Sequence, residues 1–273
     1  MTASVPLVPW VADGLRRTAL DPFGLLVQPK GVTELTALPP ALLARWVGEF
    51  RVVVLRGFDE LPASGLADYA RSWGALLTWD FGEVLELVNK EGSGNYLMGS
   101  GPVPFHWDGA FAGRAPSYLL FRCALATQPG TGGETSFCDT TRVLRQAPPE
   151  RQRLWERVRI TYRIGRTGHF GGTTSSPLVV PHPLTGHPTL RYAEPLPAEE
   201  FENPMTLGIS GIPAAAREDL LGDLRERLYR GGARYSHRWQ TGDYVLADNH
   251  TLLHRREPYR RGASRHLQRV HIL

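Results

Sequence analysis

The sequence is poor in cysteine, in long apolar runs and in blocks of like charge, and each shortage excludes something. Two cysteines, Cys123 and Cys138, are too few for a disulfide scaffold and read as buried thiols in a reducing compartment. No apolar stretch approaches the roughly 20 residues that a membrane-spanning helix needs, and no leader pattern opens the chain. A cytoplasmic protein without a membrane partner is therefore expected. Lys and Arg number 31 against 27 Asp and Glu, a formal net charge of +4 carried mainly by Arg and nowhere by a run of five or six like charges. That distribution argues against a nucleic-acid partner and is compatible with small anionic substrates. Internal repeats and low-complexity segments are absent as well, and the oligomeric state stays open, a homo-oligomer included.

What is present is enough apolar residue for a real core, 42% of 273 residues, and a single domain over 1–273 is expected. Phe23 to Val27 reads as a short strand. After Pro39-Pro40 the apolar spacing to Val47 predicts a helix, since proline is tolerated at a helix start. Arg51 to Phe58 is a β-branched run closed by Gly57, a buried strand. Leu66, Tyr69, Ala70 and Trp73 recur at helical spacing, Phe81 to Val88 suggests an inner strand, and Ser117 to Cys123 is a further apolar strand. The start of the chain, before about Leu20, has little pattern and is expected to be loosely packed.

Between Gln146 and Gly232 this rhythm is lost: Arg163 to Ser176 is rich in Gly, Thr and Arg, and a helix with Ala216, Leu220, Leu221, Leu224 and Leu228 on one side follows Pro213 and stops at Gly231-Gly232. Residues 146–232 are expected to be an insertion that helps to form a substrate pocket. The whole pattern, mainly β with flanking helices, predicts a double-stranded β-helix, a jelly-roll barrel.

The stretch that carries chemistry is Val103-Pro104-Phe105-His106-Trp107-Asp108-Gly109. On a strand, the period of two puts His106 and Asp108 on one face and Trp107 on the other. A nitrogen and an oxygen donor held in this way are two parts of a 2-His-1-carboxylate triad, which binds Fe(II) and leaves other positions open. His254 offers the third donor. Near the C-terminus Arg265, Leu267 and Arg269 share a face, and an inward guanidinium near a metal calls for an anionic ligand. Glycines at 92, 94, 99 and 101 suggest a mobile approach to the His106 strand, a lid or pocket wall. His169, His182, His187 and His237 read as structural or surface histidines. Arg163, Arg166 and Arg191 could meet a substrate carboxylate, with solvated charge as the alternative.

The order of His106-x-Asp108, Gly132-Gly133-Glu134-Thr135, Gly242 to Asn249 running into His254, and Arg265 eleven residues later resembles the TauD/TfdA family of Fe(II)/2-oxoglutarate-dependent dioxygenases, from about Phe23 to the C-terminus. Within it, Phe81 to Val88, His106 to Gly109, Tyr235 to Trp239 and Arg265 to Ile272 resemble the isonitrile-processing, PvcB-like enzymes of paerucumarin-type biosynthesis. The resemblance implies His106, Asp108 and His254 as Fe(II) ligands and Arg265, helped by Thr135, as the 2-oxoglutarate site. It also implies O2 as second cosubstrate, and Arg269 near the substrate carboxylate or the C1 end of 2-oxoglutarate. It further implies release of succinate and CO2 with hydrogen abstraction from an aromatic amino-acid-derived isonitrile, such as tyrosine isonitrile, ending in desaturation, oxidative decarboxylation or hydroxylation. An aspartate at 108 leaves no vacated position for chloride, which disfavours halogenation. Alternatives are a TauD-like hydroxylase of a free or carrier-bound amino acid or another small carboxylate, a Zn(II) hydrolase using the same triad, and a non-catalytic small-molecule binder.

Overall fold

The computed structural model describes residues 14–31, 34–89, 96–167 and 170–273. The first half of the chain runs β1 (Leu15–Ala19), β2 (Leu25–Pro29), α1 (Pro40–Phe50), β3 (Val52–Leu55), α2 (Ala63–Arg71), β4 (Val84–Val88), β5 (Val103–His106), β6 (Tyr118–Leu125) and β7 (Thr135–Asp139). Next come α3 (Thr140–Gln146), α4 (Pro149–Arg157), β8 (Arg159–Thr167), β9 (Phe170–Pro177), β10 (Val179–Pro181), β11 (Pro188–Leu190), β12 (Met205–Ser210) and α5 (Arg217–Tyr229). The chain ends with β13 (Arg234–His237), β14 (Tyr244–Asp248), β15 (Leu252–Arg256) and β16 (His266–Ile272).

Seven strands form one sheet in the order β1-β2-β3-β14-β6-β16-β4, and four form a second in the order β13-β7-β15-β5. The fold is the expected jelly roll, although the two sheets remain separate hydrogen-bonded units rather than a closed barrel. Alternation along the central strands explains how the layers stack. In β14, Tyr244 and Leu246 pack with Leu43, Trp46 and Val47 of α1 and Leu66 and Tyr69 of α2. Val245 and Ala247 turn the other way and meet Phe137 of β7 and Leu252 of β15 between the sheets. With both faces covered, β14 is buried throughout, so it reads as an unbroken apolar run.

The outer face of the smaller sheet is covered by the segment between β7 and β13. Phe105, Cys138 and Leu253 pack there against Val143, Trp155, Tyr162 and Leu220, Leu224 and Leu228 of α5. The stretch from Arg163 to Ser176, irregular by composition, is part of the antiparallel hairpin β8–β9, with β12 on the other side of β8. Its register is carried by Ile160, Tyr162 and Ile164, which alternate inward and are all buried. Two further differences from expectation are at edges. β4 pairs only with β16, so it is an edge strand rather than an inner one, and Phe81 before it is exposed. β1, unpatterned in sequence because only Leu15 is buried, is nonetheless a full antiparallel partner of β2. Among the described residues no helix is long and apolar enough to cross a membrane.

Candidate metal centre and its two cavities

His106 is the last residue of β5 and lies directly across the antiparallel ladder from His254 of β15, the two rings 4.2 Å apart between centroids. Asp108 comes just beyond the strand end, so strand periodicity alone does not aim it. Asn249 does. Its side-chain carbonyl accepts from the Asp108 N–H at 3.0 Å, while its amide donates to the Asp108 and Pro116 carbonyls at 3.0 and 2.9 Å. This two-sided clamp, together with the left-handed Gly109 (φ 89°), turns the carboxylate back toward the histidines. A side chain at 109 would also strike Pro116, its Cβ 2.5 Å from Cδ. One donor atom from each of His106, Asp108 and His254 lies within 4.8 Å of the others. Asp108 Oδ1 is 3.6 Å from His106 Nε2, and Oδ2 is 3.7 Å from His254 Nε2.

The protonation states suit a cation. His106 Nδ1–H donates to the Pro104 carbonyl at 2.8 Å, which leaves the Nε2 lone pair facing Asp108. Burial lowers the pKa of His106, and burial plus the neighbouring His106 holds His254 well below the usual imidazole range, so both rings are neutral donors. Burial opposes ionisation of Asp108, but Arg269, His254 and His271 outweigh it and hold the carboxyl well below its ordinary value. Arg269 Nη1 sits 2.8 Å from Asp108 Oδ2 and 3.4 Å from His254 Nε2, a positive group already drawn to this donor set. Two neutral imidazoles and one carboxylate, each oriented by a further hydrogen bond or charge, fit a divalent iron ion.

Two cavities flank these residues and share His106 and Arg269 in their walls. The larger is walled by Trp79, Tyr96, Phe111, Tyr162, Met205 and His271 beside His106 and Asp108. The smaller is bordered by His106, His254, Thr135, Arg256, Arg265 and Arg269. Arg265, Leu267 and Arg269 do share a face, since all three line this smaller cavity. Arg265 is 4% exposed, its Nε donates to the Gly133 carbonyl at 3.1 Å, and among the described residues it has no carboxylate within ion-pair distance. Burial and the like charge of Arg256 push its pKa down to about 10. Thr135 Oγ1 accepts from the Trp239 indole N–H at 3.0 Å, so its own hydroxyl proton is left to donate. The Gly132-Gly133 pair lets the chain pass this close: a Cβ at 132 (φ 85°) would lie 2.2 Å from the Pro258 carbonyl, and one at 133 would press on Arg265 at 3.3 Å.

Several residues at the site escape a reading by motif. Arg256 donates to the carbonyls of Tyr96, Leu97 and Gly101 at 2.9, 2.7 and 2.7 Å, and the Tyr259 hydroxyl donates to Gly99 at 3.2 Å. The described part of the glycine-rich approach is therefore a pinned pocket wall rather than a mobile one; Gly92 and Gly94 lie outside the described residues. Glu194 accepts from the Phe105 N–H at 2.9 Å and from the Tyr229 hydroxyl at 2.8 Å, tying the His106 strand to the 140–233 segment. Trp79 and His271 were equally silent. Their only sequence signal is the aromatic character of 79 and the inward register of 271 two residues after Arg269.

The arginines considered for a substrate carboxylate are elsewhere. Arg163 is exposed, and Arg191 is buried behind the cavity wall, over the Trp107 ring and donating to the Asn249 carbonyl and His250 Nδ1. The side chain of Arg166 and all of His169 lie outside the described residues. His182 pairs with Asp248 at 3.3 Å, His237 with Asp243 at 3.1 Å, and His187 is exposed, all structural or surface as read from sequence.

Comparison with known proteins converges on the same assignment. The family model for the taurine catabolism dioxygenase TauD, TfdA family, matches residues 23–271. The 3-((Z)-2-isocyanoethenyl)-1H-indole synthase of Fischerella ambigua is 42% identical over 257 residues, 93% of this chain and 94% of that protein. The tyrosine isonitrile desaturase of Pseudomonas aeruginosa is 37% identical over 255 residues, covering 92% and 87%. A solved structure described as PvcB, an Fe, alpha-ketoglutarate dependent oxygenase from an isonitrile synthetic pathway, superimposes with a TM-score of 0.79 at 35% identity, over 100% of this chain and 94% of that one. With fold, donor set and motif order in agreement, the chain belongs to the TauD/TfdA family of iron- and 2-oxoglutarate-dependent dioxygenases.

Proposed function

We propose that this dioxygenase oxidises the isonitrile of an aromatic amino acid, with His106, Asp108 and His254 holding Fe(II), Arg265 and Thr135 binding 2-oxoglutarate, and Arg269 meeting a carboxylate beside the metal. The single observation that carries the cosubstrate assignment is Arg265: a guanidinium this deeply buried without an acidic partner among the described residues is costly unless an anion arrives from outside. A dicarboxylate spanning the smaller cavity would supply it, with Thr135 donating its hydroxyl proton to the same end.

Iron, when bound, supplies the activation of O2. The remaining tasks fall to the chain. Arg265 and Thr135 fix the distal carboxylate, and His106 lines both cavities, with Asp108 on the larger and His254 on the smaller, so a substrate in the larger one has its reacting carbon beside the metal. Trp79, Phe111 and Tyr162 offer an apolar aromatic wall for a planar side chain and exclude water from it. Arg269 borders both cavities, which suits a substrate carboxylate or the C1 end of the cosubstrate. We read residues 146–232 as the insertion that supplies substrate contacts, since Tyr162, Ile164, Ala193, Leu196 and Met205 of the larger cavity come from it. The isonitrile follows from the two relatives, whose names specify an isocyanoethenyl indole and a tyrosine isonitrile. The partners this needs are small molecules, and two buried free thiols are in keeping with a cytoplasmic setting.

The four electrons that O2 accepts come in pairs, one from decarboxylation of 2-oxoglutarate to succinate and CO2 and one from the substrate. The test is mass spectrometry of reactions with Fe(II), 2-oxoglutarate, O2 and either the tyrosine- or the tryptophan-derived isonitrile, with the free amino acids alongside. Consumption of an isonitrile in step with succinate supports the reading, and the product mass separates desaturation, decarboxylation and hydroxylation. Consumption of a free amino acid alone overturns it in favour of a TauD-like hydroxylase.

A further inference from the structure

We propose that His271, locked as one tautomer by the Trp79 indole, is a positioning residue that reserves one oxygen of Asp108 for the metal and ties that ligand to the wall of the substrate cavity. The inference rests on Asp108 being a metal ligand, as proposed above.

The chain of hydrogen bonds leaves little freedom. Trp79 Nε1–H is only a donor, and it lies 3.1 Å from His271 Nδ1, which must therefore be the acceptor. The ring proton of neutral His271 is then on Nε2, and Nε2 lies 3.0 Å from Asp108 Oδ2. The ring is buried, with an exposure of 1%. Oδ2 also receives Arg269 Nη1 at 2.8 Å. Two donors on one carboxylate oxygen occupy its lone pairs, so Oδ1, the oxygen nearer His106, is the one free to ligate. One-oxygen ligation keeps a coordination position open that a two-oxygen carboxylate would fill.

The same chain reaches the substrate. Trp79 and His271 both line the larger cavity, and their rings meet edge to face at 5.6 Å. Trp79 is further set by stacking on Phe81 at 6.2 Å and by paired backbone hydrogen bonds with Gly82 at 2.9 Å. An aromatic substrate packing on Trp79 would press on the hydrogen bond that fixes His271 and, through it, on Asp108.

The experiment is a titration of the metal-free protein with Co(II), followed by its visible absorption, in wild type, His271→Leu, His271→Gln and Trp79→Phe. It is paired with the ratio of succinate to oxidised product in the Fe(II) enzyme. His271→Leu is expected to weaken Co(II) about 10- to 100-fold and to alter the absorption, because Asp108 can then turn both oxygens to the metal. His271→Gln, which keeps an N–H donor, should recover most of both. Trp79→Phe keeps the ring and loses the N–H, so succinate should form in excess over product. A folded His271→Leu with Co(II) affinity within about twofold of wild type and an unchanged spectrum would overturn the proposal. Should that variant fail to fold, Trp79→Phe decides: a wild-type spectrum and a wild-type succinate ratio would overturn it equally. The Co(II) titration involves no substrate, so it stands or falls separately from the isonitrile reading.

Discussion

His106 and His254 face each other as direct partners across β5 and β15, so the same ladder that builds the smaller sheet brings two imidazoles to 4.2 Å between ring centroids. Because their spacing is backbone-determined, the site should exist before any metal arrives. A metal that binds only the folded protein stabilises it, by about 2.7 kcal/mol at 100 times its dissociation constant. Mn(II) or Co(II) should therefore raise the melting temperature of the wild-type protein by several degrees. His106→Ala and Asp108→Ala should fold, lose that increment and lose turnover. An undiminished increment, or robust activity in either variant, would refute the ligand assignment.

Arg265 faces the smaller cavity, and among the described residues no carboxylate lies within ion-pair distance of it, although Glu134 acts on its charge from farther off. Replacing it with alanine removes a buried charge-assisted contact to the distal carboxylate of 2-oxoglutarate, a loss of about 3 kcal/mol, or roughly 100-fold in affinity. Calorimetry with Mn(II)-loaded protein would read this directly. An unchanged dissociation constant for 2-oxoglutarate would remove Arg265 from the cosubstrate site.

As candidates, His106 and Asp108 were legible because they stand two apart, and Arg265, Leu267 and Arg269 because they alternate along one face, whereas the cosubstrate roles of Arg265 and Thr135 rested on the family resemblance alone. The jelly roll followed from the same periodicities. What the sequence hid is long-range. The Asn249 clamp on Asp108, the His271 donor and its Trp79 partner, and the Arg256 grip on the 96–101 segment each join residues more than a hundred positions apart, and asparagine and arginine are ordinarily surface residues. The β8–β9 hairpin was missed for a different reason. Its Gly and Thr content signals turns, while the alternation of Ile160, Tyr162 and Ile164 that fixes it spans only a few residues.

Acid should weaken the metal-free protein well above the carboxylate range. Burial, then the Arg191 charge, lowers the His250 pKa to about 4, and His106, His237, His254 and His271 are shifted in the same direction, burial being the largest cause for each. An unfolded histidine takes up its proton near pH 6.5. Below that the unfolded chain binds protons that the folded protein refuses, so stability is complete above pH 6.5 and is lost as the pH falls toward 4. Urea midpoints measured from pH 7.5 to 4.5 should fall progressively, and His250→Asn should flatten part of that slope. A midpoint independent of pH across this window would contradict the neutral, buried state of these rings.

Arg256 offers a test of how the cavity wall is held. Its guanidinium gives its protons to the Tyr96, Leu97 and Gly101 carbonyls and lies over the Tyr259 ring at 5.6 Å, while Arg265 approaches the same ring at 5.7 Å. Tyr259 in turn donates its hydroxyl to Gly99. Removing the guanidinium by Arg256→Ala takes this donor from three carbonyls of a partly buried segment, at a cost of about 1–3 kcal/mol. Lysine would not restore it, because one ammonium on a flexible stem cannot match a planar fork that reaches three carbonyls. Hydrogen exchange should rise in residues 96–101 in both variants while β6, β14 and β16 keep their protection. Tyr96 and Leu97 wall the substrate cavity, so KM for the substrate should rise along with that exchange. Unchanged exchange at 96–101 in Arg256→Ala would mean that the wall is held by other contacts and that the arginine serves the cosubstrate cavity alone.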